Sequence, residues 1–466
     1  MDQRNVDFLR TMLRRFPRLG TRLRLRPVPS VKRHGAWRRL KAAFPAADGL
    51  RLLLSDGSRL TLAADARASE RLRFQHEMGR VAGAALHPWR PLRTLAATDR
   101  MRGHTAAVVR LLLAGPGEAR ALALAARPRS HPSFQARLLT SALLWWSQRC
   151  QGGRRPRQIF LFIPRHWGRR IIEILPHLAL PIACWEYDVL PGGGLDPSSL
   201  KAIYPSVFLR AALNHPYVMH PYRRRPPAAM RRLSRRHPDL DLLFRRSRWE
   251  LSYLGYPVAW QPTGGEVRFG DEPGILWEPS RARCLSEFLE RLKRRRRACP
   301  ERRGDPFQRY PERWMESLML KRPSLIHPRL RGEIYCQVPT SLESDRAVVD
   351  ALGRLRGGRL AVIEFKVEKD FNLLLQGLDY WDRVRRHLGR GDFQQAGYFR
   401  GRRLSPRSPL LILVSPLFQF HRLLPALRGY LTSELEVVCV GVNDDWRRRL
   451  KVVRRISLGR AKRLPG

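Results

Sequence analysis

Short apolar runs rich in Val, Ile and Leu recur along the last third of this chain, at Ile334–Val338, Ala347–Leu352, Arg359–Val367, Leu410–Val414 and Val437–Val440. Bounded by turn-forming residues, they read as strands. Between and ahead of them, Cys284–Arg297, Pro311–Leu320, Asn372–Arg386 and Leu423–Tyr430 read as helices. Gly357-Gly358 joins two strands as a tight turn. Gly264-Gly265 separates Tyr256–Trp260 from Val267–Phe269 as a hairpin. Strands alternating with helices predict an α/β fold, a mixed central sheet flanked by helices.

The same order of elements occurs twice. Val108-Val109-Arg110 faces Val348-Val349-Asp350, Ala121–Arg127 faces Leu360–Lys366, Leu143–Trp146 faces Leu378–Trp381, and Phe160–Pro164 faces Ile412–Pro416. Weaker matches precede them, such as Gly35-Ala36-Trp37 with Val258-Ala259-Trp260. The offset grows along the chain, as loop insertions in the second copy would make it grow. A tandem duplication is therefore expected. Its boundary falls at Arg223–Ala229, where Pro226-Pro227 stops any regular element. Residues 1–225 then form the first copy, 226–300 a basic hairpin and helix, and 301–466 the second copy.

Composition narrows the partners. The 466 residues carry a formal charge of +49 and are 43% hydrophobic, so the chain can bury a core while drawing polyanions. Nucleic acid is the first expected partner, because bound cations release counterions from it. The six cysteines show no Cys-x-x-Cys and no finger spacing, which argues against structural zinc and suits a reducing, cytoplasmic location. The N-terminus lacks an apolar leader. The most apolar stretch, Ile171–Trp185, is too short and interrupted to span a bilayer, so no membrane role is expected.

Chemistry concentrates at Asp350 and Glu364-Phe365-Lys366. Only nine of the 89 basic residues are Lys, so Lys366 is an exception where an amine would be useful. On a strand, residues two apart share a face, which places Glu364 and Lys366 together, and Asp350 on the partner strand reaches the same face. Two carboxylates and a backbone carbonyl suit Mg²⁺, which keeps several waters. Lys366 would orient or deprotonate the attacking water, or stabilise a pentacovalent phosphate. The competing reading is an i, i+2 salt bridge on an exposed strand. Apolar Leu360–Ile363 instead argues for burial, where Glu and Lys are costly without a task.

These residues resemble the active site of the PD-(D/E)xK, or restriction-endonuclease-like, nucleases over roughly residues 300–440. Gln376-Gly-Leu-Asp-Tyr380 is similar to the Gln-x-x-x-Tyr element of RecB-like members. The resemblance implies a tandem pair of restriction-endonuclease-like domains, the second active. It implies Asp350, Glu364 and Lys366 as catalytic residues, and Gln376 and Tyr380 as supporting ones. A further metal acid is expected on the preceding helix, Glu316 first and Glu312 next, with Asp345 as a second option for the first acid. Mg²⁺ is the implied cofactor, with Mn²⁺ able to substitute. DNA is expected ahead of RNA, and internal cutting ahead of cutting from ends. The chain departs from the pattern in carrying Val349, not Pro, before the Asp.

By the repeat alignment, the first copy offers Arg110, Ala125 and Arg127 where the second has Asp350, Glu364 and Lys366, and Phe74 near Glu316. It is expected to be catalytically dead and to hold phosphates with its cations. The whole would be a monomeric pseudo-dimer. Other features read as structural. Pro191–Gly194 is a turn without a phosphate-loop Lys, and His327, His387 and His421 read as capping or surface residues. Trp145, Trp146 and Trp381 read as core, and Arg294–Arg297 as a solvated helix end.

Overall fold

The computed structural model describes residues 24–25, 38–46, 49–54, 59–63, 66–95, 108–126, 134–151, 155–165, 168–190, 195–203, 225–245, 248–262, 264–297, 308–340 and 348–459. An antiparallel four-stranded sheet opens the chain: β1 (Arg24–Leu25), β2 (Arg38–Ala46), β3 (Gly49–Leu54) and β4 (Arg59–Ala63). Helix α1 (Ala66–Ala85) leads into a six-stranded sheet of β5 (Arg90–Leu95), β6 (Val108–Ala114), β7 (Arg120–Ala126), β8 (Gln158–Pro164), β9 (Ile182–Tyr187) and β10 (Lys201–Ile203). Helix α2 (Phe134–Gln151) connects β7 to β8, and α3 (Gly168–Ile174) connects β8 to β9.

After α4 (Ala228–Arg236), β11 (Asp241–Arg245), β12 (Arg248–Tyr253), β13 (Tyr256–Pro262), β14 (Arg268–Phe269) and β15 (Ile275–Leu276) form an antiparallel five-stranded sheet with its own core. Then come α5 (Ala282–Arg297), α6 (Pro311–Leu320) and α7 (Pro323–Ile326). The second six-stranded sheet contains β16 (Leu330–Pro339), β17 (Val348–Leu355), β18 (Leu360–Phe365), β19 (Leu410–Pro416), β20 (Glu436–Val442) and β21 (Val452–Leu458). Helices α8 (Leu373–Arg390) and α9 (Asp392–Gln395) join β18 to β19, and α10 (Leu424–Arg428) joins β19 to β20. The architecture is α/β, with mixed and antiparallel sheets flanked by helices.

Both six-stranded sheets run in sequence order with the same sense at every step: antiparallel, antiparallel, parallel, parallel, antiparallel. The parallel steps require crossover helices, which α2, α3, α8 and α10 supply. β18 is buried along its whole length. Leu360 and Val362 face one apolar cluster, while Ala361, Ile363 and Phe365 face another. A strand covered on both faces needs a continuous apolar run, and that is why its sequence does not alternate.

The expected elements are present, and burial explains where their ends differ. β16 and β17 are longer than their apolar runs, because pairing extends to the buried Leu330↔Leu355 pair; β16 carries a bulge between Arg331 and Tyr335. β18 stops at Phe365, so Lys366 lies one residue beyond it. α8 runs on to Arg390 and is ended by Gly391 at φ +75°. The helix expected at Leu423–Tyr430 is shorter. Segment 226–300 is larger than a hairpin and a helix. Within the basic run, Arg294 and Arg295 are exposed, but Arg296 is buried with its guanidinium 4.4 Å from the Trp314 ring centre. It donates to the Leu254 carbonyl at 2.6 Å, tying α5 to the five-stranded sheet and to α6.

The helical faces of the two six-stranded sheets meet in one shared apolar cluster. Trp146 and Trp381 are buried there, as expected of core residues. α2 packs on α8 and α10, while α3 packs on α8. Leu178, after α3, bridges Leu431, after α10. On either side, the Ala179 N–H donates to the Tyr430 carbonyl (2.8 Å) and the Thr432 N–H to the His177 carbonyl (2.7 Å). His177 Nε2 lies 2.8 Å from Asp382 on α8, and Tyr430 is hydrogen-bonded reciprocally to Ser147 on α2. Each half thus offers the same elements to the other, as the two faces of a twofold interface do.

Candidate active site

The β17–β18 register sets Ala351 opposite Ile363, which brings Asp350 alongside Glu364 at the next step. Glu364 is only 1% exposed and points to the face covered by α8. There the Gln376 amide donates to Glu364 Oε1 at 2.7 Å and lies 3.2 Å from the Tyr380 hydroxyl. Gln376 and Tyr380 are one helical turn apart, and Leu373, Leu374 and Leu378 bury this side of α8 against the sheet. Glu364 Oε2 is buried and meets no protein N–H or O–H donor among the described residues. Asp350 Oδ2 accepts the Phe365 N–H (3.0 Å), and Oδ1 accepts from Gln337 Nε2 (3.1 Å).

Lys366 Nζ lies 3.2 Å from Glu312 Oε1 and 3.9 Å from Glu364 Oε1. Glu312 comes from α6, on the opposite face of the sheet, and keeps 44% of its side chain open to solvent. One turn deeper on α6, Glu316 is buried and ion-paired to Arg245 of β11 at 3.0 Å. Glu312, the second choice, is therefore the helix acid that meets Lys366. Glu316 acts on Asp350 through its charge and anchors the five-stranded sheet. Asp345 lies outside the described residues.

The electrostatics follow from burying acids together. Burial pushes Glu364 well above the usual carboxylate range, and the adjacent Asp350 pushes it further, with Lys366 opposing. Asp350 is raised by burial and by Glu316, against the Phe365 N–H, Lys366 and Gln337. Burial disfavours the Lys366 charge, but Glu364, Glu312 and Asp350 outweigh it and the net shift is upward. Of the roles open to Lys366, this favours the protonated donor over the base for water. Tyr380 is also raised, by burial and then by the charge of Glu364.

A folded-state carboxylate pKa above its unfolded value means that ionising Glu364 at neutral pH costs stability, and that protonation at lower pH relieves the cost. In EDTA, Glu364→Gln should therefore be more stable than the parent at pH 8, on the order of 1–3 kcal/mol. The difference should shrink as the pH falls. Urea unfolding at pH 8 and pH 5 checks this; a variant less stable than the parent at pH 8 would contradict the raised carboxyl.

Gln337 escaped the sequence reading. It is buried, sits at φ +51° within β16, and is the side-chain donor to Asp350. Nothing in its local sequence marks it, since its role comes from pairing with β17. His387 and His421 are likewise buried rather than superficial. His387 bonds Asp392 (2.7 Å) and the Thr340 carbonyl (3.2 Å), and the His421 ring packs at a tilt against Phe371, centroids 4.2 Å apart.

In the first six-stranded sheet, Arg110 pairs with Leu124. Leu122 and Leu124 face the cluster under α2, as Val362 and Glu364 face α8, whereas Ala125 lies on the opposite face beside Phe74. The residues standing where Asp350, Glu364 and Lys366 stand are thus Arg110, Leu124 and Ala126. The sequence alignment ran one residue late, and Arg127 lies outside the described residues. A one-residue slip moves every side chain to the other face, so burial decides the register. Arg110 is 7% exposed, with its guanidinium 5.8 Å from the Trp145 ring centre. Burial against Trp145 leaves little of it open to a phosphate, the role expected of this position.

The donor set suits a hard divalent cation: a buried and a half-buried carboxylate side by side, one oxygen without a protein donor, and a third acid reaching Lys366. Among the described residues, no three His, Cys, Asp or Glu side chains are grouped closely enough to enclose a metal by themselves, so water and substrate oxygens would complete the shell. Compared with protein-family models, with curated proteins and with solved structures, the chain matches none.

Proposed function

We propose that the chain is a metal-dependent nuclease hydrolysing phosphodiester bonds of DNA, with its active site in the second half. The observation that carries this reading is the Asp350–Glu364 pair, Glu364 buried and Asp350 half-buried beside it, with Lys366 at the mouth. Buried acids kept adjacent are costly unless a cation or a substrate uses them. Asp350 and Glu364 would hold Mg²⁺ or Mn²⁺, with Glu312 nearest in reach of the same opening. Bound there, the ion would neutralise charge on the phosphate and lower the pKa of a water.

The chain's own groups do the rest. The Phe365 N–H and Gln337 fix the Asp350 carboxylate, and Gln376, steadied by Tyr380, fixes that of Glu364. Lys366, protonated, donates to a phosphate oxygen as negative charge grows in the transition state. Gln376→Ala should lower turnover about 10- to 100-fold, as loss of a ligand-orienting hydrogen bond does, with substrate affinity little changed. Steady-state kinetics on a labelled oligonucleotide separate the two effects.

The matching strand order, crossover helices and reciprocal interface support a tandem duplication of a restriction-endonuclease-like domain, with the first copy degenerate. The +49 charge supports nucleic acid as partner. A second reading, a non-catalytic nucleic-acid-binding protein on this scaffold, is favoured by the Glu316–Arg245 pair, which occupies the expected helix acid. Purified protein incubated with supercoiled plasmid decides between them. Nicking with Mg²⁺ that stops in EDTA supports the nuclease, and binding without cleavage under Mg²⁺ or Mn²⁺ supports the alternative.

A further inference from the structure

Among the residues whose side chains are described, two Phe, Tyr or Trp side chains are exposed, Tyr310 (40%) and Phe418 (75%). Both flank the candidate site. Tyr310 stands two residues before Glu312, at the start of α6. It is held at φ +52°, a left-handed conformation that a bulky side chain rarely adopts. The Arg313 guanidinium lies 5.0 Å from its ring centre. Phe418 lies two residues beyond the end of β19, the strand that pairs with β18 at Glu364 and Phe365.

The rim between them carries both signs. Exposed Lys369 follows Lys366 by three residues, between exposed Glu368 and half-buried Asp370, and exposed Arg422 follows Phe418 by four. Both cations act on His421, whose ring packs at a tilt against Phe371, so the loops after β18 and β19 lie together at this edge. A lone exposed Phe is unremarkable on a protein surface. Here the two exposed aromatics coincide with one cluster of acids and with two of the nine lysines.

Resting on the nuclease reading, we propose that Tyr310 and Phe418 stack unpaired bases on either side of the scissile phosphate, so that the substrate class is single-stranded nucleic acid or a single-stranded segment within a duplex. Bases in a duplex hide their faces in the stack, so exposed rings beside these cations suit strands whose bases are free. The cations hold the backbone without regard to sequence, and the rings supply the preference for an open strand.

The test uses the full chain carrying Glu364→Gln in EDTA, so that ligand is not consumed. A fluorescein-labelled oligonucleotide is offered as single strand, as duplex and as abasic single strand, with binding read by anisotropy. The parent should bind the base-bearing single strand most tightly. Phe418→Ala and Tyr310→Ala should each weaken that binding roughly five- to a hundredfold and leave the abasic strand unaffected, while Phe418→Trp retains it. Phe418 is too exposed for its loss to unfold the chain, so its arm stands even where Tyr310→Ala disturbs α6. Equal binding of base-bearing and abasic strands by the parent, or an unchanged affinity in Phe418→Ala, overturns the stacking. Stacking found here while the parent cleaves nothing removes the nuclease reading alone, and a parent that binds none of the three ligands removes both.

Discussion

Glu364→Gln and Lys366→Ala should each reduce DNA cleavage by at least about 10²–10³-fold while leaving nucleic-acid binding intact. Gln keeps the shape of Glu364 and its contact with Gln376, but it removes the charge that would hold a divalent cation. Ala at 366 removes the ammonium that the three neighbouring carboxylates keep protonated. With Lys366 as the proposed donor, Lys366→Arg should retain more activity than Lys366→Ala, though less than the parent, since a planar guanidinium fits a point-charge site poorly. Single-turnover cleavage of a labelled strand gives the rates, and anisotropy gives the binding. If Glu364→Gln cleaves as fast as the parent, the catalytic site lies elsewhere or the activity belongs to a contaminant.

Asp382→Ala should destabilise the chain by about 3–5 kcal/mol, the largest stability effect expected of a single residue away from the acids. Asp382 is 3% exposed. It meets His177 at 2.8 Å across the interface between the halves, and Arg386 (2.6 Å) and Arg385 (3.1 Å) on its own helix. Its removal takes from the buried His177 imidazole its carboxylate partner within an apolar seam. Burial alone would raise the Asp382 carboxyl, but His177, Arg386 and Arg385 hold it down at about 2.

A folded-state carboxylate pKa below its unfolded value contributes stability that is fully present above the unfolded value and is lost as pH falls through the folded one. The gap between parent and Asp382→Ala in urea midpoint should thus be constant from pH 7 to about 5 and narrow as the pH falls from about 4 through about 2. Glu364 and Asp350 move the other way with pH, so the difference between the two proteins, not the parent's curve, is the measurement. Equal midpoints at pH 7 would mean that the halves do not depend on this contact.

Residues near in sequence were easy to read because their physics is local. The Gly357-Gly358 turn adopts φ of +94° and +89°, which only glycine does freely, so the β17–β18 hairpin is written where it forms. Once the hairpin is set, Asp350 and Glu364 must be neighbours. The i, i+4 spacing of Gln376 and Tyr380 likewise puts them on one side of α8 wherever that helix docks. The choice between Glu312 and Glu316 was not legible. Both lie on the same helical face, and only docking of β11 through Arg245 decides which acid is paired off and which meets Lys366. Gln337 was invisible for the same reason.

The sequence by itself determined the α/β alternation, the buried strand carrying Glu364, the acid hairpin and the retained Lys366, because apolar period, turn residues and chemical type act over a few residues. Tertiary structure alone decided that Arg110, Leu124 and Ala126 occupy the matching positions in the first sheet, that Lys366 lies among three carboxylates, and that His177 and Asp382 join the halves. Each of these depends on what a side chain is buried against, and burial is set by segments far apart in the chain.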